Sequence, residues 1–113
     1  MADTFFTKII KKEIPAEFVY EDEFVVAFKD IEPKAPVHIL IVPREPIPTI
    51  NDINSDNEYI LGKIAIAAGK IAKQFDIDQS GYRMVMNCNK DAGQTVFHLH
   101  CHLLGGKELK WTF

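Results

Sequence analysis

The 113-residue chain contains four histidines, and three of them stand at alternate positions in one apolar run, Phe97-His98-Leu99-His100-Cys101-His102-Leu103-Leu104. Alternation of this kind is the period of a strand, whose successive side chains point to opposite faces. A strand over 97–104 would therefore line one face with His98, His100 and His102 and pack Phe97, Leu99, Cys101 and Leu103 on the other. The open face of such a strand normally carries Lys, Thr or Glu. Imidazole is the side chain that titrates nearest neutrality, and its neutral ring offers one lone pair and one proton, so three of them in a row point to chemistry.

Metal ligation and nucleophilic or acid–base catalysis both use that lone pair. On a strand rising about 3.3 Å per residue, His98 and His102 attach roughly 13 Å apart, so three bonds of about 2.0 Å to one ion require a sharply bent strand. Two neighbours could share an ion with a further ligand. The two cysteines, Cys88 and Cys101, are far apart with no CxxC, and Cys101 points away from the histidine face. Metal ligation stays open as the second reading, and no metal or cofactor is expected. The loop before the run, Asp91-Ala92-Gly93-Gln94-Thr95, reads either as a plain turn or as a phosphate cradle. In the second case Gly93 lets backbone N–H groups approach an anion, and Gln94 and Thr95 add donors.

The elements that must position these residues are legible in outline. Asp3 or Thr4 caps a short helix to about Lys11, with Phe5, Phe6, Ile9 and Ile10 as its apolar stripe and Pro15 beyond its end. Glu17–Tyr20 and Phe24–Phe28 form a hairpin. A Pro-punctuated loop over Asp30–Pro36 leads into a buried strand, Val37–Val42, and Pro43, Pro46 and Pro48 then forbid regular structure. Ser55 and Glu58 form a capping box for the main helix, along which Ile60, Leu61, Ile64, Ala68, Ile71 and Phe75 recur at helical spacing. The stripe Ile60, Ile64, Ala68, Ile71 faces either a partner subunit or the protein's own sheet. Tyr82–Cys88 and 97–104 complete the strands. Strands in one sheet with helices beside them define an α+β domain spanning 1–113.

A formal charge of −3 provides no basic field for long nucleic acid. No apolar run reaches transmembrane length, the first residues lack the pattern of a signal peptide, and two unpaired cysteines suit a reducing compartment. A cytoplasmic protein with no membrane partner is expected.

The run His98-Leu99-His100-Cys101-His102-Leu103-Leu104 resembles the H-φ-H-φ-H-φ-φ signature of the histidine triad (HIT) superfamily, with Cys101 at an apolar position. Gly105-Gly106 behind it is similar to the Hint branch, the nucleoside phosphoramidases. Further matches are Lys8-Ile9-Ile10, Glu13-Ile14-Pro15-Ala16, Phe28-Lys29-Asp30-Ile31, Pro33, Ala35-Pro36, His38, Gly81–Val85, Gly93–Val96 and Trp111. The resemblance implies a five-stranded antiparallel sheet with a long helix and a short N-terminal one, joined into a ten-stranded sheet across a homodimer.

It implies that His100 is the nucleophile on the α-phosphorus of a purine nucleotide of AMP or GMP type, forming a nucleotidyl-histidine. His102 contacts the phosphate and bridging atom, and His98 and His38 support the cluster. Asn87, Gly93, Gln94 and Thr95 contact the phosphate and Asp30 the ribose hydroxyls. Ile31, Phe5, Phe6, Ile9, Phe28 and Leu40 form the base pocket, and Trp111 touches the leaving group across a dimer. The expected activity is hydrolysis of nucleoside 5′-phosphoramidates, with aminoacyl-adenylates as further substrates. The alternatives are a nucleotide-sensing or partner-binding module with little turnover, and a zinc-binding protein.

Overall fold

A computed structural model describes residues 3–111; expectations that touch Met1, Ala2, Thr112 and Phe113 lie outside the described residues. The chain runs α1 (Phe5–Ile10), β1 (Phe18–Glu21), β2 (Val25–Lys29), β3 (Val37–Pro43), α2 (Tyr59–Gln74), β4 (Tyr82–Val85) and β5 (Cys101–Gly105). The five strands form one sheet in the order β1-β2-β3-β5-β4, every neighbouring pair antiparallel.

Each face of the sheet carries one helix. Ile60, Ile64, Ala67, Ala68 and Ile71 of α2 pack on Val25, Ala27, Ile39, Ile41, Cys101 and Leu103. On the opposite face Phe6 and Ile9 of α1 pack on Val26, Phe28, Leu40 and Val42. The central strands are thus covered on both sides, which is why Ile39–Val42 reads as an unbroken apolar run instead of alternating. The stripe Ile60, Ile64, Ala68, Ile71 belongs to the protein's own core. The outward face of α2 is Gly62, Ala65, Ile66 and Gly69, with Ile66 56% exposed.

Local chemistry explains most of the ends. Thr4 caps α1 by accepting from Thr7 N–H (3.2 Å), while Thr4 N–H donates to the Thr7 hydroxyl (2.7 Å). Asp22 turns the β1–β2 hairpin by accepting from the N–H groups of Phe24 and Val25 at 2.7 and 2.8 Å. The expected Ser55–Glu58 capping box is not formed: Glu58 is itself the N-cap and its side chain makes no cap hydrogen bond. Asn54 and Asn57 satisfy that entry instead, Asn54 N–H donating to Asn57 Oδ1 and Asp56 N–H to Asn54 Oδ1.

Two strands are shorter than their patterns suggest. β4 stops at Val85 instead of Cys88. β5 begins only at Cys101, so Phe97–His100 is irregular chain that feeds it. Leu99 N–H donates to Ile47 O in the connecting segment rather than to a sheet neighbour. At the far end Gly105 lies against Ile77, whose Cδ1 would stand 2.7 Å from an added Cβ. An alanine there would require the end of the Ile77 side chain to turn aside.

Candidate active site

The register of the sheet builds the site. Leu40 lies opposite both Phe28 and His102, and His102 lies opposite Val85. This places His102 on the α1 face at the end of an apolar row. His38, two residues before Leu40 on β3, shares that face, and its Nε2 is 2.9 Å from His102 Nδ1. His100 precedes β5 and turns into the same space, edge-on to Phe6 with ring centroids 4.8 Å apart and 5.2 Å from the ring of His102.

Backbone groups assign the protons. His100 Nδ1 is 2.7 Å from the carbonyl of His98, which can only accept, so His100 carries its proton on Nδ1 and its Nε2 lone pair is free. Lys34 N–H donates to His38 Nδ1 at 3.0 Å, so the His38 proton is on Nε2 and is donated to His102 Nδ1. His102 must then carry its own proton on Nε2. The result at the cavity is one lone pair with no donor on it, His100 Nε2, beside one N–H donor, on His102.

Burial holds all four rings neutral. It is the leading cause that lowers His38, His98 and His100 below 6.5. His102 is pushed down to about 4 by burial first and then by His100 and His38. The carboxylate of Asp30 pulls the other way on His38, His100 and His102, but burial prevails.

His98 is not on the histidine face. It is fully buried, its Nε2–H donates to Pro43 O at 2.7 Å, and its Nδ1 has no partner. The irregular start of β5 rotates it into the protein, where it ties the triad segment to the end of β3. Phe97, expected in the core, is 48% exposed for the same reason.

The rings open into a cavity of about 430 Å³. Phe5, Phe6, Ile9, Phe28, Ile31 and Leu40 all line it, with Phe5 and Ile31 at the exposed rim, and Asp30, Asn87, Gly93, Thr95, His100 and His102 complete its wall. Ile14, Pro15, Ala16, Lys29 and Val96 also line it, although sequence reasoning had singled out none of them as site residues.

Asp30 Oδ1 accepts from Glu32 N–H at 2.8 Å, and Oδ2 stands 3.4 Å from His38 Nε2. The loop after β4 departs from the expected cradle. Gln94 is buried, its side-chain NH₂ donates to Pro48 O and Val96 O at 2.9 and 3.0 Å, and its Oε1 accepts from Asn89 N–H at 2.8 Å. It braces the loop from inside and has no donor to spare. Gly93 and Gln94 N–H are bonded to Lys90 O and Asn89 O. Gly93 has φ +87°, and an added Cβ would meet nothing within 4 Å, so the turn itself requires the glycine. Of the side chains lining the cavity that can donate, Lys29 is paired with Glu17, and Asn87, Thr95 and His102 are left.

Asp30, His38 and His102 bring three donor atoms within 4.8 Å of one another, the one such cluster with metal-ligating chemistry among the described residues. The donor set does not fit a cation. His38 Nε2 would have to ligate, yet Lys34 N–H on Nδ1 keeps the proton on Nε2. Cys101 is a neutral buried thiol, pushed up to about 11 by burial. Trp111 is 76% exposed and does not line this cavity; its ring stacks 5.4 Å from the Arg83 guanidinium, which also donates to Lys110 O.

A sheet that presents a histidine pair and one free imidazole nitrogen beside an apolar cavity defines a histidine-based nucleophilic site on an α+β fold. The family description "HIT domain" matches residues 11–109, and the chain belongs to the HIT family. It is 51% identical over 107 residues to a purine nucleoside phosphoramidase of Escherichia coli strain K12, covering 95% of this chain and 90% of that protein. Among solved structures, a HIT family hydrolase from Clostridium thermocellum superposes with a TM-score of 0.95 at 50% identity, covering 99% of this chain and 97% of that one. A histidine triad protein from Clostridium difficile does so at 0.95 and 43%, covering 100% and 98%.

Proposed function

We propose that the protein is a purine nucleoside phosphoramidase, converting a nucleoside 5′-phosphoramidate and water to the nucleoside monophosphate and an amine. The carrying observation is the free Nε2 of His100, with its proton locked on Nδ1 by the His98 carbonyl. The purine lies between Phe6, Ile9, Phe28 and Leu40, and the Asp30 carboxylate accepts from the ribose hydroxyls. Asn87, Thr95 and His102 Nε2–H donate to the phosphoryl oxygens and stabilise the charge that gathers there.

The His100 Nε2 lone pair forms a bond to phosphorus as the P–N bond breaks, and the electron pair of that bond goes to the departing amine. The amine takes a proton from solvent as it leaves, while the His38–His102 pair keeps the His102 Nε2–H on the phosphoryl group. Water then attacks phosphorus, the P–Nε2 bond breaks with its electron pair returning to His100, and the proton that water loses goes to solvent, so His100 is again neutral. Supporting this reading are the 51% identity to a protein of that activity and the match between proton placement and the chemistry. Turnover of a fluorogenic adenosine phosphoramidate tests it, and a protein that binds AMP without turnover would instead be a nucleotide sensor.

The proposal includes a homodimer, built on the outward α2 face Gly62, Ala65, Ile66, Gly69 and the open edge of β4, where Tyr82 and Met84 are 38% and 40% exposed. Pairing there covers an unsatisfied strand edge. Residues 1–113 then act as one domain, in the cytoplasm.

A further inference from the structure

The peptide group between His98 and Leu99 is held at both ends. Its C=O accepts from His100 Nδ1–H at 2.7 Å, and its N–H donates to Ile47 O at 2.6 Å. A peptide unit is planar, with N–H and C=O pointing in opposite directions, so fixing one end aims the other. A bond on the N–H also polarises the carbonyl, because hydrogen bonds in a chain strengthen one another. Ile47 O, far from the triad in sequence, is thus the first link of a chain that ends on the nucleophile.

The segment after β3 holds that carbonyl still. Ile47 stands between Pro46 and Pro48; proline fixes its own φ, and the residue before a proline is confined to extended backbone. The Ile47 side chain is buried in the core shared by the sheet and α2, and its N–H donates to Glu45 O at 2.9 Å. Thr49, also buried, closes the segment by donating its hydroxyl and N–H to Asp52 Oδ2 at 2.9 and 3.0 Å. The carbonyls on either side bind elsewhere, Pro43 O to the His98 ring and Pro48 O to Gln94. Only Ile47 O holds the peptide that meets His100.

We propose that Ile47 is a positioning residue for the nucleophile: through the His98–Leu99 peptide its backbone carbonyl keeps the His100 proton on Nδ1 and enriches the Nε2 lone pair. The inference deepens the phosphoramidase reading and rests on it. A stronger acceptor on one ring nitrogen makes the other the better electron donor. The benefit falls on the bond forming to phosphorus rather than on nucleotide binding, so it belongs to kcat and not to KM.

Pro48 is exposed and has no N–H to lose, which allows the Ile47 carbonyl itself to be edited. The test compares Pro48→Ala with the same protein carrying lactic acid in place of that alanine. The second protein turns the Ile47 carbonyl into that of an ester, a weaker acceptor, and the loss of the proline ring is common to both. With adenosine 5′-phosphoramidate, kcat should be about three- to tenfold lower in the ester protein at unchanged KM. The His100 Nδ1–H proton resonance should move upfield, a signature that general loosening of the fold does not give. Ile47→Val should keep kcat, and Ile47→Ala should lose about tenfold. Ile64→Ala makes the same truncation in the same core and should lose stability but not kcat. Equal kcat in the ester and amide proteins, an unmoved resonance, or an Ile64→Ala loss of kcat as large as that of Ile47→Ala would overturn the positioning role and leave the phosphoramidase reading standing. Failure of the unaltered protein to turn over the substrate would overturn both.

Discussion

The proton on His100 sits at Nδ1 because the His98 carbonyl is 2.7 Å away, and the proton on His38 sits at Nε2 because Lys34 N–H occupies the other nitrogen. No acid has to ionise to set up the nucleophile. Nitrogen-15 spectra of the imidazoles at pH 7.5 should therefore report His100 as the Nδ1–H tautomer and His38 and His102 as Nε2–H; any other assignment of His100 contradicts the account. Burial lowers all of these groups from 6.5, so the nucleophile keeps its lone pair in mildly acidic solution. Activity should be lost only as pH falls below 6.5, and a kcat/KM profile whose acid limb lies at or above 6.5 would show that the rings are not held neutral in this way. Replacing His38 by Ala leaves His102 Nδ1 without its donor and frees the tautomer of His102. Turnover should drop about 10- to 100-fold, the usual effect of removing a group that orients a reacting imidazole. Unchanged kcat would remove His38 from the mechanism.

At the scale of elements, the sheet and the two helices were legible because their apolar spacing is long and regular. The sites of failure are short and depend on contacts distant in sequence. The alternation through 97–104 says strand, yet Leu99 N–H bonds to Ile47 O and His98 Nε2–H to Pro43 O. Those backbone partners carry no side-chain signature, so neither the rotation of His98 into the core nor the exposure of Phe97 was readable. Gln94 is a similar case: beside Gly93 and Thr95 it looks like a phosphate donor, and its three bonds to Pro48, Val96 and Asn89 appear only in three dimensions. Asp30, by contrast, follows directly on β2 and lines the cavity. Because Gln94 is structural, Gln94→Ala leaves two carbonyls and one N–H without partners. It should destabilise the fold by about 1–3 kcal/mol in urea unfolding and raise KM by loosening the loop. A loss of turnover with unchanged unfolding midpoint would restore it to the phosphate site.

For the whole molecule, the chief consequence of four neutral histidines, three of them buried and His102 partly so, is a stability that depends on pH. Their folded values lie below 6.5, so below that pH the unfolded chain binds protons that the folded chain refuses. The stabilising contribution is complete above pH 6.5 and is lost as pH falls towards about 4, where His102 titrates in the folded state. The urea midpoint should fall between pH 7.5 and pH 5; a flat dependence would contradict the burial of the rings as charged-form penalties. The assembly has its own test. Ile66 is 56% exposed between two glycines that leave open space, so Ile66→Glu should convert a dimer, measured by light scattering, to a monomer that remains folded. A monomer before substitution would refute the dimer.

The central claim is that the histidine triad works by two successive displacements at phosphorus, the first by His100 and the second by water. Each in-line displacement inverts the phosphorus centre, so two of them retain its configuration. The measurement is the stereochemical course of hydrolysis of a single phosphorus diastereomer of adenosine 5′-phosphorothioamidate in ¹⁸O-water. Overall retention is predicted. Inversion would mean that water attacks the substrate directly and that His100 never forms the covalent bond its free Nε2 is placed to make.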